Sequence, residues 1–213
     1  MPHLLLADDH SIIRGGLKTV IKDFLPHSSF DEADDGDTAF EKIKHNDYDL
    51  VILDINMPGT DSIGLVSNIF ALKPGIKILM FSMNDEELFA KRYLKMGVMG
   101  YIKKSELPVE IENAITTILQ NKKYVSLNFT QVLIENLGKN TFSENPFNML
   151  SAREFEVAQH LVCGESSSQI CRILKIHPST VGTYKTKIFV KLQCTNIIQL
   201  NTLAKMYDIN TLS

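Results

Sequence analysis

Short apolar runs alternate with amphipathic stretches over the first 120 residues of this 213-residue chain. The clearest run, Leu50-Val51-Ile52-Leu53, is apolar without interruption, as is typical of a strand buried on both faces of a parallel sheet. Between such runs, apolar residues recur every three or four positions, which predicts helices. The pattern predicts five strand–helix units, with strands near 4–7, 28–32, 50–53, 76–81 and 100–102 and helices near 12–24, 38–45, 63–72, 86–96 and 108–119.

In the last third of the chain the apolar residues follow a helical period throughout. Ser151 and Glu154 have the spacing of a capping box, in which the hydroxyl accepts a free backbone N–H and the carboxylate reaches back. Ser166 and Gln169 repeat that spacing before a second apolar stripe, and Pro178 suits the first turn of a third helix. With a fourth helix after it, two short helices joined by a tight turn predict a helix-turn-helix unit.

The stretch between these two regions has a weaker pattern. Apolar residues spaced for one short helix run from Phe129 to Leu137, and Gly138 would end that helix. Residues 139–148 are polar and are typical of a linker. We therefore predict three parts, which are an α/β domain at 1–121, a linker with a short helix at 122–148, and a small all-α domain at 149–213.

The composition is ordinary for a globular protein, with 44% hydrophobic and 22% charged residues, and it excludes a disordered chain, a collagen and a coiled-coil rod. The apolar runs fall short of the roughly 18–20 residues that span a bilayer, and the N-terminal apolar stretch is too short for a signal peptide. The three cysteines are an odd number, so we expect reduced thiols in the cytosol rather than a disulfide scaffold.

Charge is distributed unevenly along the chain. The net charge is −3, but residues 1–120 hold 12 basic and 19 acidic residues, whereas residues 121–213 hold 10 basic and 6 acidic ones. Such asymmetry favours an acidic module joined to one that meets a polyanion. A moderately basic module is also compatible with an ordinary solvated surface.

Polar side chains follow several of the predicted strands. Asp8 and Asp9 come after the first strand and Asp54 after the third, while Ser82 follows the fourth and Lys104 the fifth. In an open parallel sheet, the crevice where the strand order reverses would bring these groups together. Crowded carboxylates repel one another unless a cation joins them, and hard oxygen ligands favour Mg²⁺. The hydroxyl and the ammonium suit phosphoryl chemistry in which a carboxylate attacks.

Residues 3–121 resemble the receiver domain of two-component response regulators. The motifs that carry the resemblance occur in order and are Asp8-Asp9, Leu50-Val51-Ile52-Leu53-Asp54-Ile55-Asn56-Met57-Pro58-Gly59, Ser82, Tyr101 and Lys104. The resemblance implies a flavodoxin-like fold with a doubly wound, five-stranded parallel sheet. It also implies a regulator of the bacterial cytoplasm rather than a dedicated enzyme.

The resemblance implies a role for each residue that handles phosphate. Asp54 would accept a phosphoryl group from a sensor histidine kinase, and Ser82 and Lys104 would hold the phosphoryl oxygens. Tyr101 would turn inward as Ser82 moves. Such a response is physically reasonable because a new dianion orders its neighbours through charge-assisted hydrogen bonds and biases a two-state element.

The same resemblance implies a Mg²⁺ site in the pocket. Its ligands would be Asp9, Asp54 and the backbone carbonyl of Asn56, with Asp8 assisting through a water molecule. These are hard oxygen donors, which agrees with the cation that the crowded carboxylates require.

Residues 149–207 resemble the four-helix DNA-binding domain of the NarL/FixJ regulators, which carry a LuxR-type helix-turn-helix. The residues that carry this resemblance are Leu150-Ser151-Ala152-Arg153-Glu154, Val157, Gly164, Ser166, Gln169-Ile170, Leu174-Lys175-Ile176, Thr180-Val181, Tyr184 and Lys191-Leu192. The resemblance implies that a recognition helix near 178–192 enters the major groove of double-stranded DNA.

The predicted DNA contacts follow from positions in that helix. They are Ser179, Gly182, Thr183, Lys185, Thr186, Lys187 and Lys191. Gly182, Thr183 and Thr186 would face base edges, and the lysines are the available phosphate or base partners. A solvated helix face remains the alternative for each lysine.

Three positions depart from the pattern of that family. Gly182 and Ser168 stand where Lys is common, so the salt dependence of DNA binding should be shallower by roughly 0.9 log–log units per lost phosphate contact. His177 replaces a common Ser cap, which is worth about 1 kcal/mol. We therefore expect weak DNA binding by a monomer, and a homodimer on paired half-sites after phosphorylation.

Three other functions compete with a phosphorylation-controlled transcriptional regulator. A phosphatase related to the haloacid dehalogenases would need a second acid two residues after Asp54, where Asn56 stands. The intact acidic set argues against a DNA-binding regulator that ignores phosphate, but Met83, a long side chain beside the predicted pocket, keeps that alternative open. A receiver that acts as a phosphate sink, with a degenerate helical domain, is favoured by the missing lysines at Gly182 and Ser168.

A metal site in the helical domain is not expected. The candidate ligands there are His160, Cys163, Cys171, His177 and Cys194, and their spacing fits no zinc pattern. Cys163 and Cys171 fall on apolar helix faces, where Cys packs as a small hydrophobe, so core packing is the favoured interpretation.

Overall fold

The computed structural model describes residues 1–83, 86–131, 145–207 and 209, and it divides the chain into two compact units, Met1–Asn140 and Thr141–Ser213. The predicted short helix after Phe129 lies mostly outside the described residues; helical backbone begins at residue 127 and is described as far as 131. Among the described residues, no helix combines the length and the apolar character that crossing a membrane requires.

The first unit is a parallel sheet flanked by helices. Its strands are β1 (His3–Ala7), β2 (Ser29–Ala33), β3 (Leu50–Leu53), β4 (Ile78–Ser82) and β5 (Gly100–Lys103), and its helices are α1 (Ser11–Phe24), α2 (Gly36–His45), α3 (Ser62–Leu72), α4 (Glu86–Met96) and α5 (Pro108–Leu119). The strand order is β2-β1-β3-β4-β5 and every pair is parallel, which confirms the predicted doubly wound sheet. The order reverses between β1 and β3, so the crevice of the sheet lies at the ends of these two strands.

The central strands are buried on both faces, as their unbroken apolar sequences predict. On one face, Leu4, Leu50 and Leu79 belong to a cluster with Leu17 of α1 and Ile115 of α5. The alternate residues of the same strands are equally buried and point to the opposite face. The edge strand β2 is mostly half-buried, which explains its weaker strand pattern in the sequence.

The fourth strand begins two residues later and ends one residue later than predicted. Ile76 does not enter β4, because its N–H donates to the Lys73 carbonyl at 3.1 Å and closes a turn. At the other end Ser82 still belongs to the strand, because its carbonyl accepts the N–H of Lys104 at 2.9 Å. Ser82 therefore lies at the edge of the crevice.

The segment after α5 covers the outer edge of β5. We call residues 120–131 the linker start. Its Tyr124 N–H donates to the Met99 carbonyl at 2.8 Å, and Tyr124 pairs with Gly100 in an isolated parallel bridge. A Cβ on Gly100 would lie 2.9 Å from Ile118 Cδ1 and 3.2 Å from the Tyr124 carbonyl oxygen, so glycine favours this close approach. The pairing with Tyr124 occupies the outer edge of β5 at its first residue.

The second unit is helical throughout. It comprises a short 3-10 helix (Pro146–Met149), α6 (Ala152–Val162), α7 (Ser167–Ile173), α8 (Pro178–Lys191) and α9 (Ile197–Met206). Both predicted capping boxes, Ser151 with Glu154 and Ser166 with Gln169, are present. His177 itself caps α8, since its ring Nδ1 accepts the backbone N–H of Ser179 at 3.3 Å. The position that lacks the common serine therefore still satisfies an amide at the start of α8.

Candidate functional site

The carboxyl ends of β1 and β3 place two buried carboxylates in the crevice. The Asp54 N–H donates to the Ala7 carbonyl at 2.8 Å, and the Asp8 N–H donates to the Ala33 carbonyl at 3.0 Å. The backbone N–H of each residue is therefore still hydrogen-bonded to the neighbouring strand, just after its own strand ends. Asp8 is 2% exposed and Asp54 is 3% exposed, so neither carboxylate is well solvated.

Lys104 joins the two carboxylates. Its Nζ lies 2.6 Å from Asp8 Oδ2 and 2.9 Å from Asp54 Oδ2. Burial alone would lower the pKa of Lys104, but hydrogen bonds to both carboxylates outweigh burial and raise this pKa. Burial raises the pKa of Asp54, and Lys104 opposes that effect. Two buried carboxylates thus share one ammonium, which leaves a net negative charge that favours a further cation.

The remaining oxygens of the pocket fit a hard cation. Asp54 Oδ1 is buried and accepts no hydrogen bond from the described residues. The Asp9 side chain is 24% exposed and lies at the mouth of the pocket beside Asp8. The backbone N–H of Asn56 also lowers the pKa of Asp54, with a smaller effect than burial or Lys104. The Asn56 main chain therefore lies beside that carboxylate. Carboxylate and carbonyl oxygens are the donors that Mg²⁺ prefers, and this residue set fits the ion.

His10 belongs to this site although the sequence analysis did not predict it. Its Nδ1 lies 2.9 Å from Asp9 Oδ1 and 3.3 Å from Asp8 Oδ1, and the ligand atoms of the three residues lie within 4.8 Å of one another. The backbone N–H of His10 donates to Asp8 Oδ1 at 2.9 Å, and this bond keeps His10 close to the two aspartates. The one signal in the sequence was its position directly after two aspartates.

Ser82 and Tyr101 lie on the neighbouring strands β4 and β5 and are both fully buried. The Tyr101 side chain is thus already buried in this structure, and its movement together with Ser82 stays a prediction. Met83, which follows Ser82, is 66% exposed. Its thioether therefore extends towards solvent rather than into the core of the unit.

In the second unit, α8 presents an exposed polar face. The exposed members of the predicted DNA-contact set are Ser179, Gly182, Thr183, Thr186 and Lys187. The Thr183 hydroxyl donates to the Ser179 carbonyl at 3.0 Å, and the Thr186 hydroxyl donates to the Gly182 carbonyl at 3.1 Å. A Cβ on Gly182 would meet no atom within 4 Å, so a larger side chain has space there.

The other two predicted lysine contacts are half-buried. Lys185 Nζ lies 5.7 Å from the centre of the Phe189 ring, a cation–π distance. Lys191 Nζ lies 2.5 Å from Glu154 Oε2, and Glu154 is buried. Burial alone would raise the pKa of Glu154, but hydrogen bonds from Lys191 and Ser151 lower it. In this structure Lys191 therefore ties the end of α8 to the start of α6.

The histidines and cysteines of the second unit form no metal site among the described residues. The group of ligands close enough to share a metal is Asp8, Asp9 and His10 in the first unit. His160 is buried with its Nδ1 at 2.8 Å from Glu165 Oε2. Cys163, Cys171 and Cys194 are thiols rather than members of disulfides, and Cys194 is the buried one of the three.

Comparisons with known proteins match the two units separately. The response regulator receiver domain matches residues 4–116, more than half of the chain, and the luxR family of bacterial regulatory proteins matches residues 148–204. The response regulator UvrY of Escherichia coli (strain K12) is 27% identical over 204 residues, which cover 96% of this chain and 94% of UvrY. The response regulator GacA of Pseudomonas viridiflava is 28% identical over 204 residues, which cover 96% of this chain and 95% of GacA.

A solved structure shows the same fold. RcsB from Salmonella enterica serovar Typhimurium, bound to promoter rprA in the presence of the phosphomimetic BeF3−, matches with a TM-score of 0.72 at 20% identity, over 96% of this chain and 99% of RcsB. The family matches, the sheet topology and the helical second unit agree with one another. The chain belongs to the two-component response regulators of the NarL/FixJ family, with a receiver domain followed by a LuxR-type helix-turn-helix domain.

Proposed function

We propose that this chain is a phosphorylation-controlled, DNA-binding transcriptional regulator whose Asp54 accepts a phosphoryl group from a sensor histidine kinase. The observation that carries the proposal is the buried pair of Asp8 and Asp54, which share the Lys104 ammonium while Asp54 Oδ1 accepts no hydrogen bond from the described residues. Such an oxygen is available to attack phosphorus, and the nearby ammonium keeps the carboxylate ionised.

In the proposed step, an Asp54 oxygen attacks the phosphorus of the kinase phosphohistidine. An O–P bond forms as the N–P bond breaks, and the imidazole leaves with the electron pair. The Lys104 ammonium, 2.9 Å from Asp54 Oδ2 before transfer, moves onto a phosphoryl oxygen. The Ser82 hydroxyl, at the end of the neighbouring strand, donates to another phosphoryl oxygen. Both groups offset negative charge in a buried site, where each interaction is strong.

The same pocket would hold Mg²⁺. Asp9, Asp54 and the Asn56 carbonyl would bind the ion, with Asp8 assisting through water. When bound, Mg²⁺ neutralises charge that develops on the phosphoryl oxygens. The hard oxygen donors of these residues support this assignment.

The output we propose is binding of double-stranded DNA by a phosphorylated homodimer in the bacterial cytoplasm. The exposed polar face of α8 supports this, since a recognition helix must leave its contact residues free to enter the major groove. A dimer would join two half-sites and compensate for the few cations on that face. We divide the chain accordingly into a receiver at 1–121, a linker at 122–148 and a DNA-binding domain at 149–213.

We propose no dedicated enzymatic activity for this pocket. An aspartyl-phosphate phosphatase would carry an acid two residues after its nucleophile, and Asn56 stands there. An amide acts neither as a general acid nor as a general base near neutral pH. The acyl phosphate would therefore persist as a signal.

Intact-mass measurement of the chain with Mg²⁺ and acetyl phosphate tests the proposal. We expect the gain of one phosphoryl group, mapped to Asp54 and absent in Asp54→Asn. Asp23→Asn makes the same chemical change at an exposed acid of α1 and should label like the wild type. Labelling of Asp54→Asn, or no labelling of the wild type, would contradict the proposal.

A receiver that acts as a phosphate sink is the second candidate. It is favoured by the pairing of Lys191 with Glu154 and by the position of Lys185 over Phe189, since both lysines are engaged within the second unit. Titration of the phosphorylated chain with duplex DNA separates the two functions. Tighter binding of one sequence than of others supports the regulator. Equal affinity for every sequence, lost as salt is added, supports the phosphate sink.

A further inference from the structure

The linker start is fastened to the receiver at three points. The Tyr124 N–H donates to the Met99 carbonyl at 2.8 Å beside β5, and the Tyr124 hydroxyl donates to Glu110 Oε2 at 2.6 Å on α5. The third point is Ser126, whose hydroxyl donates to Glu86 Oε2 at 2.6 Å and whose N–H donates to Glu86 Oε1 at 3.3 Å. Two of the anchors therefore lie at or beside β5 and on α5, and one lies on the first residue of α4.

Ser126 connects two helix beginnings. Glu86 is only 7% exposed although it is an acid at a helix start. On the linker side, the Ser126 hydroxyl accepts the N–H of Phe129 at 3.0 Å, and Phe129 is buried. The same hydroxyl thus holds the first turn of α4 and caps the helical residues 127–131. A bond from a hydroxyl to a buried carboxylate is charge-assisted and stronger than a neutral one.

Glu86 is joined to the phosphoacceptor pocket by a very short connection. Ser82 ends β4 in the pocket, and only three residues separate it from Glu86 in the sequence. Each residue spans at most about 3.3–3.6 Å, so the first turn of α4 lies near Ser82 and is the attachment of the linker start most exposed to a shift of Ser82 towards a phosphoryl oxygen. Tyr124 is anchored beside β5 and on α5 and would not follow that shift.

The present geometry determines the direction of the effect. The hydroxyl–carboxylate distance of 2.6 Å is already that of a good hydrogen bond. Displacement of the first turn of α4 away from the linker start, while Tyr124 stays in place, therefore weakens the contact between Glu86 and Ser126.

We propose that the Glu86–Ser126 contact is a latch that holds the linker start on α4 and opens when Asp54 is phosphorylated. The inference rests on the proposed function, because the phosphoryl group supplies the displacement. The opened latch leaves residues 126–131 held by Tyr124 and by the buried side chain of Phe129. Phosphorylation would in this way change the mobility of the segment that leads to the DNA-binding domain.

Hydrogen exchange of the full chain tests the latch, with Mg²⁺ alone and with Mg²⁺ plus beryllofluoride. In the wild type, we expect beryllofluoride to accelerate exchange at 126–131 by about tenfold or more, as loss of one charge-assisted hydrogen bond implies. Exchange at Tyr124 should not change. In Ser126→Ala, exchange at 126–131 should be fast under both conditions, while peptides that contain Ser82 still respond.

Two further variants separate the latch from general loosening of the linker start. Ser126→Thr keeps the hydroxyl and should restore the dependence on beryllofluoride, which shows that loss of the response in Ser126→Ala is not misfolding. Tyr124→Phe removes the bond to Glu110 but leaves the contact on α4, so its 126–131 segment should still respond.

Different results would contradict the latch and the proposed function. If beryllofluoride changes exchange at Ser82 but leaves 126–131 unchanged or slows it, the latch is wrong and the proposed function stands. If beryllofluoride changes nothing at Ser82 in the wild type, the proposed function is contradicted and the latch falls with it.

Discussion

The pocket of Asp8, Asp54 and Lys104 and the exposed face of α8 hold their polar groups in opposite ways. In the pocket, the side chains of Asp8, Asp54 and Lys104 are at most 6% exposed and bind one another at 2.6–2.9 Å. On α8, Gly182 and Lys187 are exposed, whereas Lys191 is drawn back to Glu154. Because the pocket is buried, its stability depends on every charge within it. The exposed groups of α8 would instead gain charged partners when DNA binds.

The largest effect should come from removal of the one ammonium in the pocket. Lys104→Met leaves Asp8 and Asp54 buried without their shared partner, which should lower the free energy of unfolding by roughly 3 kcal/mol or more. Urea unfolding without metal measures this loss. Added Mg²⁺ should restore much of it by binding the folded state. Lys22→Met, an exposed lysine of α1, should change stability little, and an equal loss in both variants would show that the pocket is not special.

Two lysines of α8 should contribute to different properties, Lys191 to stability and Lys187 to DNA binding. Lys191→Met removes the cation beside the buried Glu154 carboxylate, which keeps its hydrogen bond from the Ser151 N–H. Because the Lys191 side chain is 39% exposed, the unfolding free energy should fall by roughly 1 kcal/mol. Lys187→Met, at an exposed position, should weaken DNA binding with little change in stability. Thermal unfolding and DNA titration of both variants measure the division. If Lys191→Met leaves stability unchanged, its contact with Glu154 does not hold α8.

The pairing of Lys191 with Glu154 also predicts a dependence on pH. The pKa of Glu154 in the folded unit lies below its ordinary value of 4.5, so the unfolded chain binds the proton more tightly. The stabilisation is present above pH 4.5 and is lost as pH falls through the folded pKa. Acid titration of unfolding should show a smaller loss of stability in Lys191→Met than in the wild type.

An added cation on the exposed face should strengthen DNA binding moderately. Gly182 has open space around its Cα, so Gly182→Lys should fit without strain and also favour the helix. One new phosphate contact should steepen the log–log salt dependence by about 0.9. Thr202→Lys adds the same charge at an exposed position of α9 and serves as the control. Equal slopes in the two variants would mean that α8 does not face the DNA backbone.

The smallest effect is expected at Met83. Its side chain follows Ser82 and is 66% exposed, so it narrows access to the pocket only in part. Met83→Ala should speed both phosphorylation by acetyl phosphate and loss of the phosphoryl group, each by a few-fold. The lifetime of the phosphorylated chain measures this, and an unchanged lifetime would remove any role for Met83.

The fold and the pocket were predictable because their signals are local. An unbroken apolar run such as Leu50-Val51-Ile52-Leu53 predicts a buried parallel strand, and the residue after it must lie at the strand end. Once the sheet was predicted, the meeting of Asp8, Asp54 and Lys104 followed from topology. The capping boxes were predictable for the same reason, since both partners lie within one helical turn.

The contacts that were missed join polar residues with no pattern between them. Glu86 and Ser126 meet only because the linker start covers the edge of β5. Helical periodicity places Lys191 on α8 but does not distinguish an outward lysine from one that reaches back to Glu154. His10 joins the acidic site because its backbone N–H bonds to Asp8 and its ring Nδ1 lies beside Asp9 Oδ1. Composition and spacing do not indicate this geometry.

The molar mass of the full chain in solution, measured by light scattering with Mg²⁺ alone and then with Mg²⁺ plus beryllofluoride, tests most directly whether the buried pocket controls assembly for DNA binding. We predict a monomer with Mg²⁺ alone and a dimer with beryllofluoride, and Asp54→Asn should remain a monomer under both conditions. An unchanged mass in the wild type, or the same dimer in Asp54→Asn, would contradict the account.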